Sequence, residues 1–293
     1  MAIGSMGGGR LHPLMTGGGS RNSGLPLGFP SLTTARFNPG IALWDDFIGG
    51  VSVGSSSASR WTATQVGSGT GTAGLSSASN TTAAATAGVF QLSSGTTAND
   101  VILAELSVRT AGQQSLFPVS TTSDHGGFNA MFRVQFGATR TSCRHGIGLI
   151  ASTVTAATDW ITDPDTVLGA DTSTSLIIHQ STTAYGAGGL AASGGDVVAR
   201  LYDHAGTDQM VTLVANSSGV TPLPAPYKFE FSRPQGSTTI TCYTNGVAMG
   251  TLTTSAGANN WRPSFGVVAL SSSARVISLD AYFLEAGTTM PAR

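Results

Sequence analysis

The stretch Phe128-Asn-Ala-Met-Phe-Arg-Val-Gln-Phe136 decides how this chain folds. Phe128, Ala130, Phe132, Val134 and Phe136 alternate with Asn129, Met131, Arg133 and Gln135. Successive side chains of a strand point to opposite faces, so a period of two with aromatics in phase predicts a half-buried strand with an aromatic inner face. Two further segments repeat the pattern. Tyr227, Phe229 and Phe231 alternate with Lys228 and Glu230, and Ile277, Leu279, Ala281 and Phe283 alternate with Ser278, Asp280 and Tyr282.

Working outward, shorter apolar runs bounded by Gly, Ser, Thr and Asn turns predict strands at 88–92, 101–108, 146–152, 175–180, 197–202, 210–215 and 264–270. Strands at 238–243 and 247–252 flank Asn245-Gly246, the strongest short hairpin signal. The segment from Gly67 to Gly88 is Gly/Ser/Thr/Ala-rich and reads equally as a long loop or as weak edge strands. Roughly a dozen strands with frequent turns, and no helical periodicity between them, indicate an all-β sandwich.

Composition agrees. Charged residues are 10% of the 293, against roughly 25% in an ordinary soluble domain. Lys228 is the single lysine beside thirteen arginines, and Glu105, Glu230 and Glu285 are the only glutamates. Long helices draw on Lys and Glu, so a helical bundle is excluded. A weakly charged surface favours association, and a net charge of −1 gives no general attraction to nucleic acid. No apolar run approaches the ~20 residues that span a membrane. Met1–Gly9 lacks a basic-then-apolar secretory pattern, so synthesis in a cytoplasm is expected.

Residues 1–40 form a separate Gly/Pro-rich segment. It carries GGG at 7–9 and 17–19, four prolines, Arg10, Arg21 and Arg36, and no acidic residue. It is expected to be an extended arm held by a partner, ahead of a sandwich over 41–293.

The second half resembles a known fold family. Tyr227-Lys-Phe-Glu-Phe, the Cys242 strand, Tyr243-Thr-Asn-Gly-Val, Pro263-Ser-Phe-Gly-Val-Val and Ile277-Ser-Leu-Asp-Ala-Tyr-Phe follow in the order of the closing strands of the concanavalin A-like, laminin G-like jelly roll. The opening Trp44-Asp45-Asp46-Phe47 looks like versions of this fold in tailed-bacteriophage virion proteins. The resemblance covers about residues 41–286, with the middle third poorly matched. It implies a jelly-roll β-sandwich; the fold itself hosts many activities.

None of the three glutamates has a second carboxylate at i+2 or i+4, as a catalytic strand of this family's hydrolases would. Asp163 and Asp165 alternate, but Pro164 marks a turn. Asp45-Asp46 and the group Asp159, Asp163, Asp165 and Asp171 offer oxygen ligands for calcium, or cap turns. The five histidines are scattered without zinc spacing. Cys143 and Cys242 read as two buried free thiols, with a disulfide across the sandwich as the alternative.

These readings lead to an expected non-enzymatic virion structural protein without cofactor or metal. The first form is a capsid cement or decoration protein. Its arm, through Arg10, Arg21 and Arg36, would contact the major capsid protein and other copies of the chain, a trimer being favoured. The second form is a tail fibre or receptor-binding protein for a host glycan, with Trp61, Trp160 or Trp261 stacking on sugar rings, or else packing in the core. The third is a cellular carbohydrate-binding or adhesive module. Neither nucleic acid nor membrane is an expected partner.

Overall fold

A computed structural model describes residues 39–45, 47, 61–75, 88–106, 117–120, 127–137, 142–150, 175–181, 185–187, 190–192, 195–202, 208–215, 226–234, 236–254 and 258–287. Sheet A contains β1 (Pro39–Asp45), β3 (Thr72–Leu75), β4 (Phe90–Ser93), β7 (Phe128–Phe136), β14 (Tyr227–Arg233), β15 (Thr239–Thr244), β16 (Val247–Thr253) and β18 (Val276–Gly287). Sheet B contains β2 (Trp61–Val66), β5 (Val101–Leu106), β6 (Phe117–Ser120), β8 (Cys143–Ile150), β9 (Ser175–Ser181), β12 (Val197–Tyr202), β13 (Asp208–Val214) and β17 (Ala258–Ala269). A small hairpin pairs β10 (Tyr185–Ala187) with β11 (Leu190–Ala192). Sheet A runs β16-β15-β14-β7-β18-β4-β3, with β1 beside the second half of β18; sheet B runs β13-β12-β9-β8-β17-β5-β2, with β6 beside the first half of β17. All the pairings are antiparallel, and the architecture is the expected jelly-roll β-sandwich.

The alternation assigns each side chain its face. Phe128, Phe132 and Phe136 of β7, Phe229 and Phe231 of β14, and Leu279, Tyr282 and Leu284 of β18 point into the core. Opposite them lie Ala104, Phe265, Ile147, Ile178 and Ala199 from sheet B. At one end Trp61 meets Phe90, Phe265 and Tyr282 edge-on, with ring centroids 5.3, 5.6 and 5.8 Å apart. Edge-to-face contact sets the positive rim of one ring against the negative face of the next. Phe47 completes this cluster at φ 55, a left-handed backbone that a bulky residue adopts only where packing enforces it.

Two local devices hold the strands in place. Asn245 and Gly246 have φ 50 and 83, the positive pair of a type I′ hairpin turn. The Lys228 N–H donates to Asn245 Oδ1 at 2.9 Å and the Asn245 N–H to the Lys228 carbonyl at 2.7 Å, tying the turn to β14. Along the open side of the sandwich, the Gln209 amide substitutes for a missing strand. Its Nε2 donates to the Thr253 carbonyl at 2.6 Å and its Oε1 accepts from the Thr253 N–H at 2.9 Å, joining β13 to β16.

Asp100 anchors the turn before β5. Its carboxylate accepts the Gly69 N–H at 3.1 Å and the Thr97 N–H at 2.8 Å, and Gly67, Gly69 and Gly95 leave it no room for a Cβ on any of them. Burial pushes this carboxyl up, but the N–H groups of Gly69, Thr97 and Ser68 together outweigh it and hold it below the usual carboxylate range. A depressed folded value contributes stability above the unfolded range, and that contribution is lost as pH falls through the lower folded value. Asp100→Asn and Gly69→Ala are therefore expected to lower the melting temperature at pH 7. The deficit of Asp100→Asn should shrink below about pH 4, as calorimetric melts across that range would show. Phe132→Ala, at the core centre, should cost about 3–5 kcal/mol in denaturant unfolding.

Candidate functional site

Sheet A has a second face, turned away from the core, and it is unusually polar for buried surface. Because Ala130 and Phe132 point inward, Asn129, Met131 and Arg133 point outward; by the same alternation so do Lys228, Glu230 and Ser232 of β14, and Phe283 and Glu285 of β18. Register places them in rows across the sheet. Thr241, Ser232, Asn129 and Glu285 form one row, and Tyr243, Glu230, Met131 and Phe283 the next. Lys228 and Arg133 form a third, beside the irregularity at Asp280.

The middle of this face is buried although it lies outside the inter-sheet core. Glu230 is 0% exposed, Asn129 1% and Glu285 3%, with Met131 and Phe283 between them. The rim is more open. Arg133 Nη1 lies 2.8 Å from Asp280 Oδ2, and Tyr243, Ser232 and Lys228 are half-buried. Lys228 Nζ lies 3.2 Å from Glu230 Oε1, within ion-pair reach but without hydrogen-bond angles. Burial pushes the Glu230 carboxyl up, and the Lys228 ammonium acts against it. Ser232 Oγ donates to Asn129 Oδ1 at 2.8 Å and so fixes which end of the amide is the acceptor.

The two glutamates reach one face from different strands, on either side of β7. A search for carboxylates two or four residues apart misses such a pair, because only strand pairing reveals it. The apolar outer side of sheet B differs. There Val101, Leu103, Ile150, Ile177 and Val268 cluster, and His179 is held neutral, pushed down to about 3 by burial and then by Arg200, Arg144 and His145. Within the core, His145 Nδ1 lies 2.6 Å from Gln180 Oε1 and its Nε2 3.1 Å from the Val276 carbonyl, a polar tie between the sheets.

The sequence-predicted residues fare unevenly. Trp61 and Trp261 are core residues, 1% and 2% exposed, so the core-packing alternative describes them and neither offers a ring face to a sugar. Trp160, Arg10, Arg21 and Arg36 lie outside the described residues, as do Asp159, Asp163, Asp165 and Asp171. Among the described residues no three His, Cys, Asp or Glu side chains gather as a metal site requires. Cys143 and Cys242 are free and buried, and burial pushes the Cys242 thiol up to about 12.

No protein-family model matches the sequence, and no curated protein matches it either. Solved structures match the fold. The carbohydrate recognition domain of Emp47p aligns with TM-score 0.50 at 9% identity over 84% of this chain and 95% of that one. An endo-1,3-beta-glucanase from Streptomyces sioyaensis aligns with TM-score 0.47 at 11% identity, over 84% and 95%. The Crh5 transglycosylase aligns with TM-score 0.45 at 13% identity, over 86% and 85%. These are concanavalin A-like jelly rolls, and nothing in them ties the chain to a virion. The expectation of a non-enzymatic chain is corrected here. Structures that resemble it include a glucanase and a transglycosylase as well as a lectin domain, and the absence of paired glutamates along one strand does not describe the face that the sheet assembles.

The buried thiols give a direct check on this arrangement. Native protein at pH 8 should leave Cys242 unreactive toward a disulfide reagent, and unfolding in guanidinium should release two thiols per chain.

Proposed function

We propose that this chain is a carbohydrate-binding jelly-roll domain and that it binds through the outer face of sheet A. The observation that carries this reading is the composition of that face. Carboxylates, an amide and hydroxyls (Glu230, Glu285, Asn129, Ser232, Thr241) surround the apolar surfaces of Met131 and Phe283, with Arg133, Asp280 and Lys228 at the rim. Sugars present the matching chemistry, hydroxyls that donate and accept around a C–H surface. A few placed polar groups on an apolar floor give such a ligand orientation and specificity. The likeness to a carbohydrate recognition domain supports the reading through the fold.

The test is to screen the full chain against immobilised glycans. Binding to a set that shares one sugar is expected, and a chain that binds no glycan overturns the proposal. Reducing ends released from the bound glycans would separate turnover from binding. Arg133→Ala should melt within about 1 kcal/mol of the parent, since exposed ion pairs contribute little, yet weaken glycan binding severalfold.

A further inference from the structure

Among the described residues, Asn129 and Glu230 between them carry three polar atoms that make no hydrogen bond, one of which, Glu230 Oε1, has the ion pair with Lys228. Asn129 Nδ2, a donor, and Glu230 Oε2, an acceptor, are both fully buried, and neither makes a hydrogen bond. Leaving such groups unmatched costs stability, more so for a charge. Their placement is specific. Asn129 pairs with Ser232 and Glu230 with Met131, so the two are diagonal neighbours on the adjacent strands β7 and β14, with Cα atoms about 7–8 Å apart. The bond from Ser232 Oγ to Asn129 Oδ1 commits the other end of that amide to donating. Lys228 touches Glu230 through Oε1 and leaves Oε2 open.

We infer that Asn129 and Glu230 form a clamp for a vicinal diol. One sugar hydroxyl donates to Glu230 Oε2 while its neighbour accepts from Asn129 Nδ2. This rests on the carbohydrate-binding reading and assigns it a contact pair and a ligand chemistry. A donor and an acceptor on separate strands are both satisfied by two adjacent hydroxyls of one ring, each of which can play either part. The half-buried Ser232, Tyr243 and Lys228 ring the pair on the side of β14 and β15 and mark the way in. The hydroxyl's bond to a carboxylate is charge-assisted and is the stronger of the two. It also compensates the burial that pushes the Glu230 carboxyl up. The charged and titratable groups nearest in register are Lys228 on β14, Arg133 on β7, Tyr243 on β15, and Asp280 and Glu285 on β18.

A clamp kept for a ligand has a signature that a structural pair lacks, namely that removing it strengthens the fold. Asn129→Leu and Glu230→Gln should melt at or above the wild-type temperature at pH 7. A raised folded value costs stability as pH rises through it, so the gain from Glu230→Gln should vanish near pH 4, where the wild-type carboxyl is protonated. Both variants should bind the soluble oligosaccharide with the strongest array signal at least tenfold more weakly by calorimetry, while Ser232→Ala, which frees the amide to turn, should lose severalfold. Analogues of that oligosaccharide lacking one hydroxyl of the diol should lose about as much on wild-type protein and nothing further on the variants. If the glycan binds and the variants bind it equally well, or if they melt lower with affinity unchanged because the pair only holds water, the clamp is overturned and the carbohydrate reading stands. If no glycan binds, both fall.

Discussion

The two-residue period of β7 is the constraint on which the remaining structure depends. β7 lies in the middle of sheet A between β14 and β18. Its inward residues meet those of both neighbours in register, Phe132 opposite Phe229 on one side and Tyr282 on the other. A one-residue slip would turn every one of these rings toward the outer face and bring Asn129, Met131 and Arg133 into the core. Burial of a single aromatic contributes about 1.5–3 kcal/mol, so the register is fixed by several such terms acting together. Once it is fixed, the outer face is fixed with it, and the position of Glu230 beside Met131 follows from that of Phe229 beside Phe132.

The two faces of sheet A are therefore built to different rules. Inside, apolar side chains interdigitate around a few polar groups, of which His145 is matched by Gln180 and the Val276 carbonyl. Outside, polar groups are buried without full matching, which a fold selected for stability alone would replace with leucine or methionine. Natural chains depart from consistent packing chiefly where function requires it. On sheet A the departure lies in neighbouring rows of one face, beside an irregularity in β18 at Asp280 that sets the carboxylate against Arg133.

Much of the sandwich was legible because alternation is a local signal. β7, β14, β15, β16 and β18 announce themselves in the sequence, and the Asn245-Gly246 turn adopts the positive φ pair that its residues favour. Other strands lack that signal, β3 among them, which lies in the Gly67–Gly88 stretch that reads equally as loop or weak edge strand. β3 is four residues of Thr, Ala, Gly and Leu that form the edge of sheet A beside the next strand, β4, and β6 contains Pro118 and exists because β17 is brought to it from far along the chain. β17 starts at Ala258 rather than Ser264 for the same reason, continuing through Pro263 to pair with β6. β8 begins at Cys143 because His145 faces inward, where its hydrogen bonds let an imidazole occupy a core position that an apolar pattern would not predict. The candidate site was the least legible part. Glu230, Asn129 and Glu285 sit on three separate strands, and no spacing along the chain encodes their common face.

That common face also bears on what kind of chemistry the sheet can support. Glu230 and Glu285 lie two strands apart and are offset by two residues along β7. Strand spacing and rise then put their Cα atoms about 12 Å apart. Carboxyl groups that cleave a glycosidic bond work at about 5–5.5 Å or 6.5–9.5 Å from one another. Both side chains would have to lean over β7, across Asn129 and Met131, to straddle one bond. Without that approach they stand at separate positions on the face, with Asn129 on the strand between them. Leaning is opposed on the Glu230 side, where Lys228 holds Oε1 toward the rim. The ion pair of Lys228 with Glu230 Oε1 thus also holds this carboxyl apart from its counterpart across β7.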